Sequence, residues 1–221
     1  RPYAYVPLVN VYNQNRADFQ AAGVTLNDMF SGYDMETSDN IELGARFRRS
    51  WGEIMPTLFY AAHRNLLTTV HDPRIGASGV NYYQNVGEAT GYGVELETNF
   101  FLGDHVTFFF NPTYTSLTYD ADLTYAGTIL DTEGNQVVDT PEWMLKTGLI
   151  LRWGDVEVVP MLRYLDDRYG NAENTEKIDD YMVVDLKIGY TKKDIAFFDA
   201  LKVSLEFTNL FAEEYVSLIN A

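Results

Sequence analysis

Tyr92-Gly93-Val94-Glu95-Leu96-Glu97-Thr98-Asn99-Phe100 is the stretch that decides the fold class. Tyr92, Val94, Leu96, Thr98 and Phe100 take alternate positions, and Gly93, Glu95, Glu97 and Asn99 fill the others. Successive side chains of an extended backbone point to opposite faces, so this is a strand with one apolar and one charged face. The period recurs on both sides of it. Ile41, Leu43, Ala45 and Phe47 alternate with Glu42, Gly44, Arg46 and Arg48, and Ile54, Pro56, Leu58, Tyr60 and Ala62 share a face. Val106, Phe108, Phe110, Pro112 and Tyr114 follow, then Trp143, Leu145, Thr147, Leu149, Leu151 and Trp153, then Val156, Val158, Pro160, Leu162 and Tyr164. Met182, Val184, Leu186, Ile188 and Tyr190 come next, and Leu201, Val203, Leu205 and Phe207 close the series. These make about eight strands, each near the ~10 residues that a tilted membrane strand needs. The fold class is all-β.

Alternation alone fits a soluble sandwich, whose apolar face is the core, and an outer-membrane barrel, whose apolar face meets lipid. The connections favour the barrel. Short turns centre on Ser50-Trp51-Gly52, on Leu102-Gly103-Asp104, on Gly154 and within 191–200, whereas long polar links fall at 69–81, 120–140 and 167–179. Short turns on one rim and long loops on the other are the pattern of transmembrane β-barrels, and a compact soluble domain has little use for three structureless loops at one end. Residues 1–38 read as a strand end followed by a long loop on the same rim, with a helical turn near Ala17–Ala22. Pro112 and Pro160 sit awkwardly in strands that should be interior to a sheet.

Composition excludes several function classes. Against 32 acidic residues stand 16 basic ones, so the net charge of −16 leaves no basic face for nucleic acid. Without cysteine there is no disulfide framework, zinc–thiolate site or thiol nucleophile. No apolar run approaches the ~20 residues of a membrane helix. Arg1 is not an initiator Met and no signal peptide opens the chain, so it reads as cut from something longer.

Few residues suggest chemistry. Glu95 and Glu97 lie two apart on one strand face, close enough for an acid–base pair. Arg46, Arg48, Lys146, Arg152, Arg163 and Lys187 recur on equivalent faces, so a ladder of opposed charges lining a lumen explains them better than catalysis. The chain is read as no enzyme, and no motif demands a cofactor. Asp120, Asp122, Asp131, Glu133 and Asp139 form an acidic loop without the order of a calcium-binding EF-hand, and a hydrated loop is the preferred reading. His105 sits beside a short turn and is read as structural. Ligand-contact candidates gather on the long-loop rim: His63, Arg64, His71, Arg74, Tyr82, Tyr83, Tyr119 and Tyr125. For the tyrosines, with Tyr169, an interfacial aromatic girdle is preferred to a surface stacking on an aromatic iron chelate.

Three segments resemble the barrel of the TonB-dependent receptor family. They are Glu36-Thr37-Ser38-Asp39-Asn40-Ile41-Glu42-Leu43-Gly44, the run from Tyr83-Gln84-Asn85-Val86-Gly87 to Gly91-Tyr92-Gly93-Val94-Glu95-Leu96-Glu97, and Phe207-Thr208-Asn209-Leu210-Phe211-Ala212-Glu213-Glu214-Tyr215. Together the resemblance covers roughly residues 30–216. It implies an antiparallel up-and-down barrel of about 22 strands, of which residues 1–221 are an incomplete C-terminal portion lacking the plug and the last strand. It further implies the outer membrane of a Gram-negative bacterium and active uptake of a scarce ligand, foremost a ferric siderophore. The implied partners are outer-membrane lipids, an N-terminal plug domain, TonB and the ligand. The alternatives are a passive porin or surface adhesin and a soluble ligand-binding β-barrel.

Overall fold

A computed structural model describes residues 5–31, 33–195 and 197–217. Three helices come first, α1 (Tyr5–Gln14), α2 (Arg16–Ala21) and α3 (Leu26–Ser31). Thirteen strands follow: β1 (Thr37–Gly44), β2 (Phe47–Arg49), β3 (Gly52–Asp72), β4 (Val80–Leu102), β5 (Val106–Tyr119), β6 (Leu123–Tyr125), β7 (Thr128–Leu130), β8 (Trp143–Trp153), β9 (Val156–Leu165), β10 (Arg168–Tyr169), β11 (Lys177–Ile178), β12 (Tyr181–Ile195) and β13 (Phe198–Phe207). The principal sheet runs β1-β3-β4-β5-β8-β9-β12-β13, with β2 continuing β1 along the edge of β3, and every pairing is antiparallel. This is the up-and-down wall that the sequence predicts, an open arc of a barrel. Among the described residues no helix is long and apolar enough to cross a membrane.

Register carries the apolar face across the whole arc. Leu43, Leu58, Val94, Tyr114 and Trp143 lie in one row, and Val106, Leu151, Val158, Ile188 and Leu205 in another. These rows are uncovered: Leu43 is 72% and Leu205 60% exposed. A continuous bare apolar surface of this kind belongs against lipid tails. Leu58→Arg in the full-length barrel should cost ~2–4 kcal/mol if it lies near the bilayer midplane. Reversible urea unfolding in lipid vesicles measures it, and a neutral result would move Leu58 out of the lipid band.

The opposite face holds the charges. Arg163 Nε reaches Asp185 Oδ2 at 2.9 Å, Arg152 Nε reaches Glu157 Oε2 at 2.8 Å, Arg46 pairs with Glu53, and Lys187 stands opposite Glu206. Cross-strand pairs of this kind contribute about 0.2–1 kcal/mol each. Glu95 instead lies between Thr57 and Thr113 in register, and Glu97 opposite Met55.

The prolines sit where the ladders are open. Pairing of β4 with β5 skips from Glu95–Thr113 to Asn99–Phe109, passing over Pro112. Side chains bridge part of the gap: Thr98 Oγ1 donates to the Phe110 carbonyl at 2.7 Å, and Thr98 N–H donates to Asn111 Oδ1 at 2.9 Å. Between β8 and β9 the pairs skip from Gly148–Met161 to Leu151–Val158, passing over Pro160. Pro56 lies opposite the break between β1 and β2. A missing N–H costs least where no ladder bond is due.

The buried core is not in the sheet but at the long-loop end. Of the buried apolar residues described, all but Phe109 and Val183 form one cluster, including Leu8, Tyr12, Phe19, Met29, Val70, Ile75, Tyr82, Val86, Tyr119 and Leu123. This corrects the expectation of long structureless loops. Residues 5–31 form helices instead of a strand end and loop, and only the turn near Ala17–Ala22 was foreseen. The link at 69–81 shrinks to 73–79, because β3 and β4 run past the apolar band; the links at 120–140 and 167–179 carry the hairpins β6–β7 and β10–β11. Pro7 falls in the first turn of α1, where a helix tolerates it. Leu8 and Tyr12, four apart, share the inward face. Thr25 and Asp28 form a reciprocal cap at the start of α3, with Thr25 N–H donating to Asp28 Oδ2 at 2.8 Å and Asp28 N–H to Thr25 Oγ1 at 3.2 Å.

Paired bulges in β3 and β4 make that cap attachable. His63 pairs with Ala89 and Leu66 with Gly87, so Arg64 and Asn65 together oppose Glu88; Leu67 then pairs with Asn85, leaving Val86 as the extra residue on β4. Asn65 takes φ 56°, a left-handed conformation that asparagine adopts more readily than most residues. One extra residue on each strand keeps the pairing but exchanges the faces. Strict alternation from Leu58 and Tyr92 would aim Val70 and Tyr82 at lipid. Past the bulges both are buried, and the Tyr82 ring meets Phe19 edge-on at 6.0 Å.

Candidate functional site

Asp72 organises the cap. Its carboxylate is fully buried, yet every oxygen is engaged: Arg74 Nε and N–H donate to Oδ1 at 2.8 and 3.0 Å, and Arg74 Nη2 and Tyr82 Oη donate to Oδ2 at 2.6 and 3.0 Å. The Arg74 guanidinium holds the Asp72 carboxyl below its usual range against the opposing effect of burial. Burial, with the Asp72 charge beside it, pushes the Tyr82 phenol up to about 12. Both groups lie beyond the apolar band, past the bulges. Gly127, at φ 77°, lets this guanidinium lie against the β6–β7 turn, since a Cβ there would come within 2.4 Å of Arg74 Nη1.

The shifts fix a pH window for the cap. Asp72, with a lowered folded value, contributes stability above its unfolded value that is lost as pH falls through the folded one. Tyr82, with a raised value, contributes stability below 10.0 that is lost as pH rises toward about 12. Amide protection of residues 67–85 should therefore fall at both extremes, and Asp72→Asn should remove the acid limb. Unchanged protection at low pH would detach Asp72 from the cap's stability.

Each segment that resembles the TonB-dependent receptors does physical work at this rim. Asn85 Nδ2 donates to the Asn65 carbonyl at 2.6 Å and to the Asp34 carbonyl at 3.1 Å, while its Oδ1 accepts from Asp34 N–H at 2.5 Å; one side chain ties the bulge to the link between α3 and β1. Val86 is the bulged core residue, and Gly87 leaves room for Leu123, whose Cδ2 would stand 2.6 Å from a Cβ. Glu36 Oε2 accepts from Leu67 N–H at 3.0 Å, just past the bulge. Asn209 closes its turn by bonding Glu213 in both directions, and Tyr215 stacks on Tyr181 at 4.2 Å.

A cavity of about 690 Å³ opens among these parts. Leu66, Leu67, Val86, Tyr119, Leu123, Leu130, Val137, Val138 and Ala172 give it apolar walls, and Glu36, Asp139 and Glu173 add carboxylates. Electrostatics divides the chain sharply. Residues 5–40, 63–89, 118–142, 165–181 and 208–217, which build the long-loop end, hold 21 acidic and five basic residues; the strands and short turns between them hold 11 and 10. Most of those five cations are spoken for. Arg64 bonds Asp39 at 2.8 Å, Arg74 bonds Asp72 at 2.6 Å, Arg168 bonds Asp139 at 2.6 Å and Lys177 bonds Asp167 at 2.6 Å, while Arg16 donates to Asn13 at 2.8 Å. The acidic loop is ordered: Asp122 Oδ1 accepts from Thr132 and Glu133 N–H at 2.9 and 3.1 Å, which lowers its pKa.

The eight ligand candidates fall into separate groups. Arg74 and Tyr82 are brought together, but as supports of Asp72 inside the cap. Tyr119 is buried and lines the cavity. His63 lies in register between Ser38 and Ala89 beside the bulge, and Arg64 is exposed in it. His71 Nδ1 bonds Asn81 Oδ1 at 2.7 Å, and Tyr83 is exposed opposite Thr69. Tyr125 ends β6; its side chain lies outside the described residues. Sequence reading missed Asp72, Glu36, Asn85 and Glu173. Glu36 and Asn85 stand in the segments that resemble the receptor family, which was their signal; that of Asp72, an Asp two residues before an Arg, shows only once the bulges are known.

Comparison with known proteins agrees with this architecture. The chain is 29% identical over 143 residues to the ferrichrome outer membrane transporter/phage receptor of Escherichia coli (strain K12), covering 59% of this chain and 17% of that protein. It is 27% identical over 147 residues to the ferrioxamine B receptor of Salmonella typhimurium (strain SL1344), covering 63% and 20%. The chain thus spans about a fifth or less of these relatives. Among solved structures, the ferric citrate transporter FecA superposes with a TM-score of 0.64 at 17% identity, covering 90% of this chain and 29% of that one. The ferric yersiniabactin uptake receptor FyuA from Yersinia pestis superposes with a TM-score of 0.58 at 18% identity, covering 81% and 26%. Residues 7–210 match the family described as TonB dependent receptor-like, beta-barrel, and with a lipid-facing wall, a charged inner face and a folded long-loop end, the chain belongs to that family.

Proposed function

We propose that this chain forms part of the wall and outer vestibule of an outer-membrane transporter that imports a ferric siderophore, energised through TonB. The observation that carries the reading is the folded cap with its cavity, built beyond the lipid band at the long-loop end. A passive pore needs no such vestibule. The ferrichrome and ferrioxamine B receptors among its relatives favour the same class of cargo. The charged inner face suits a plug that fills the lumen, and the bare rows suit outer-membrane lipid. Transport, not catalysis, is the activity that this arrangement serves. Ligand contact falls to the cavity walls, where Thr68, Thr69, Tyr119, Asn171 and Glu173 are among the polar groups, while Arg74 and Tyr82 hold the frame.

The test is uptake of radiolabelled iron by a receptor-deletion strain carrying the full-length gene. Uptake of at least one ferric siderophore, abolished when TonB is removed, is the expected result. Passage of small solutes that persists without TonB would instead make the protein a pore.

A further inference from the structure

The short-turn rim advances along the wall in even steps until its last hairpin. Gly52, at the first turn, pairs with Phe100, and the second turn closes at Leu102, two residues further on. Leu102 leads through Val106 to Leu151, and the third turn closes at Trp153, again two further. Trp153 leads through Val156 to Tyr190, but the fourth turn closes with Ile195 against Phe198, five further. A constant step is the stagger that strand tilt imposes on a barrel. The three residues in excess carry the β12–β13 hairpin about 10 Å beyond the rim. Thr191 N–H donates to the Asp155 carbonyl at 2.8 Å and Lys192 Nζ to Asp155 Oδ2 at 3.0 Å, which fastens the hairpin's base to the β8–β9 turn.

What projects is apolar and basic. Phe197 is 96% and Phe198 66% exposed, and Phe197 is the most exposed large apolar residue among those described. Leu201 continues the lipid-facing series of Leu205 and Val203 onto the hairpin, since alternate residues of β13 share a face. Lys192, Lys193 and Lys202 outnumber Asp194 and Asp199 there, whereas the long-loop end sets 21 acidic residues against five basic ones. Lys193 and Lys202 bond no carboxylate among the described residues. Trp51 and Trp153, both 52% exposed at neighbouring turns, mark the headgroup level of this rim. Short turns of outer-membrane barrels face the periplasm, where the leaflet is phospholipid with an anionic fraction. Aromatic side chains favour the headgroup zone, and each lysine near an anionic surface adds attraction. We propose that this hairpin docks on the periplasmic leaflet: Phe197 and Phe198 enter the headgroup zone, and Lys193 and Lys202 bind anionic phospholipid.

The photocrosslinker p-benzoylphenylalanine is placed at Phe197 of the full-length receptor and, as a control on the lipid-facing wall, at Val203. Each receptor is irradiated in cells, and again after reconstitution into vesicles of phosphatidylcholine and phosphatidylglycerol in equal amounts. Both positions should yield phospholipid adducts. At Phe197 phosphatidylglycerol should be captured at least about threefold over phosphatidylcholine, and the ratio should fall toward parity at high salt and in the Lys193→Gln, Lys202→Gln double variant. Because the ratio is read within one sample, a lower yield of folded receptor does not enter it. A protein adduct at Phe197 in cells, to the receptor's plug or to a periplasmic partner, would overturn the lipid assignment. So would the absence of any adduct at Phe197 where Val203 gives one. Equal capture of the two lipids at Phe197 would overturn the anionic preference. Docking of the hairpin does not depend on the cargo, so none of these results bears on siderophore uptake.

Discussion

Deleting Asn65 from the full-length barrel should detach the cap while leaving the lipid-facing wall assembled. The deletion removes one of the two extra residues, so β3 beyond His63 must either slip against β4 or turn its side chains over. Turning over carries Val70 and Asp72, both fully buried, to the opposite face. Exposing Val70 forfeits about 1.5–3 kcal/mol, and separating Asp72 from Tyr82 on β4 leaves a buried phenol unpaired at about 1–3 kcal/mol more. The carbonyl that Asn85 holds at 2.6 Å disappears as well. The total exceeds what a cap of three short helices and two small hairpins can absorb. Amides 66–86 should lose hydrogen-exchange protection while 54–60 and 92–98 keep theirs. Removing Val86 in addition should restore the β3–β4 ladder without restoring the cap, because both strands are then turned over together. Normal protection of the cap in the single deletion would show that the bulge does not set its orientation.

Phe19→Ala should release the helical segment at a cost of about 3–5 kcal/mol. Phe19 is fully buried, with Tyr12 at 5.3 Å and Tyr82 at 6.0 Å, and so joins α1 and α2 to β4. Helices of six to ten residues are unstable alone in water, and α2 and α3 have six each. Their helicity therefore depends on this contact. Proteolysis of intact cells or proteoliposomes should find residues 5–31 cut readily in the variant and protected in the parent, with Phe19→Leu close to the parent. If the segment stays protected in Phe19→Ala, its anchor lies elsewhere.

The wall was legible because one physical rule governs all of it. Leu43, Leu58 and Val94 occupy positions that strict alternation assigns to one face, and register places them side by side. The cap was not legible, because its determinants are local exceptions to that rule. Nothing in His63-Arg64-Asn65-Leu66 announces a left-handed asparagine, and without it Val70 and Tyr82 are assigned to the wrong side. The helices were hidden by their brevity: α1 carries Pro7 near its start and offers only Leu8 and Tyr12 as a buried pair. Of the candidate site, the rim was foreseen and most of the residues were not. Arg74 and Tyr82 look like free ligand contacts until the fold brings Asp72 between them. The Asn85-Val86-Gly87 motif marked family membership in the sequence, and the structure gives the reason: clamp, bulge and clearance for Leu123.

The paired bulges also give one hairpin two reading frames. Below Asn65 and Val86, even positions answer to lipid and odd ones to the lumen; above them the same parities answer to the opposite neighbours. A substitution that suits the hydrocarbon at Leu58 therefore places no demand on Val70, although the two lie on one strand and in one parity class. The half beyond the bulges is free to change its sequence with the cap that it packs against, and the half that carries the bare apolar rows need not follow.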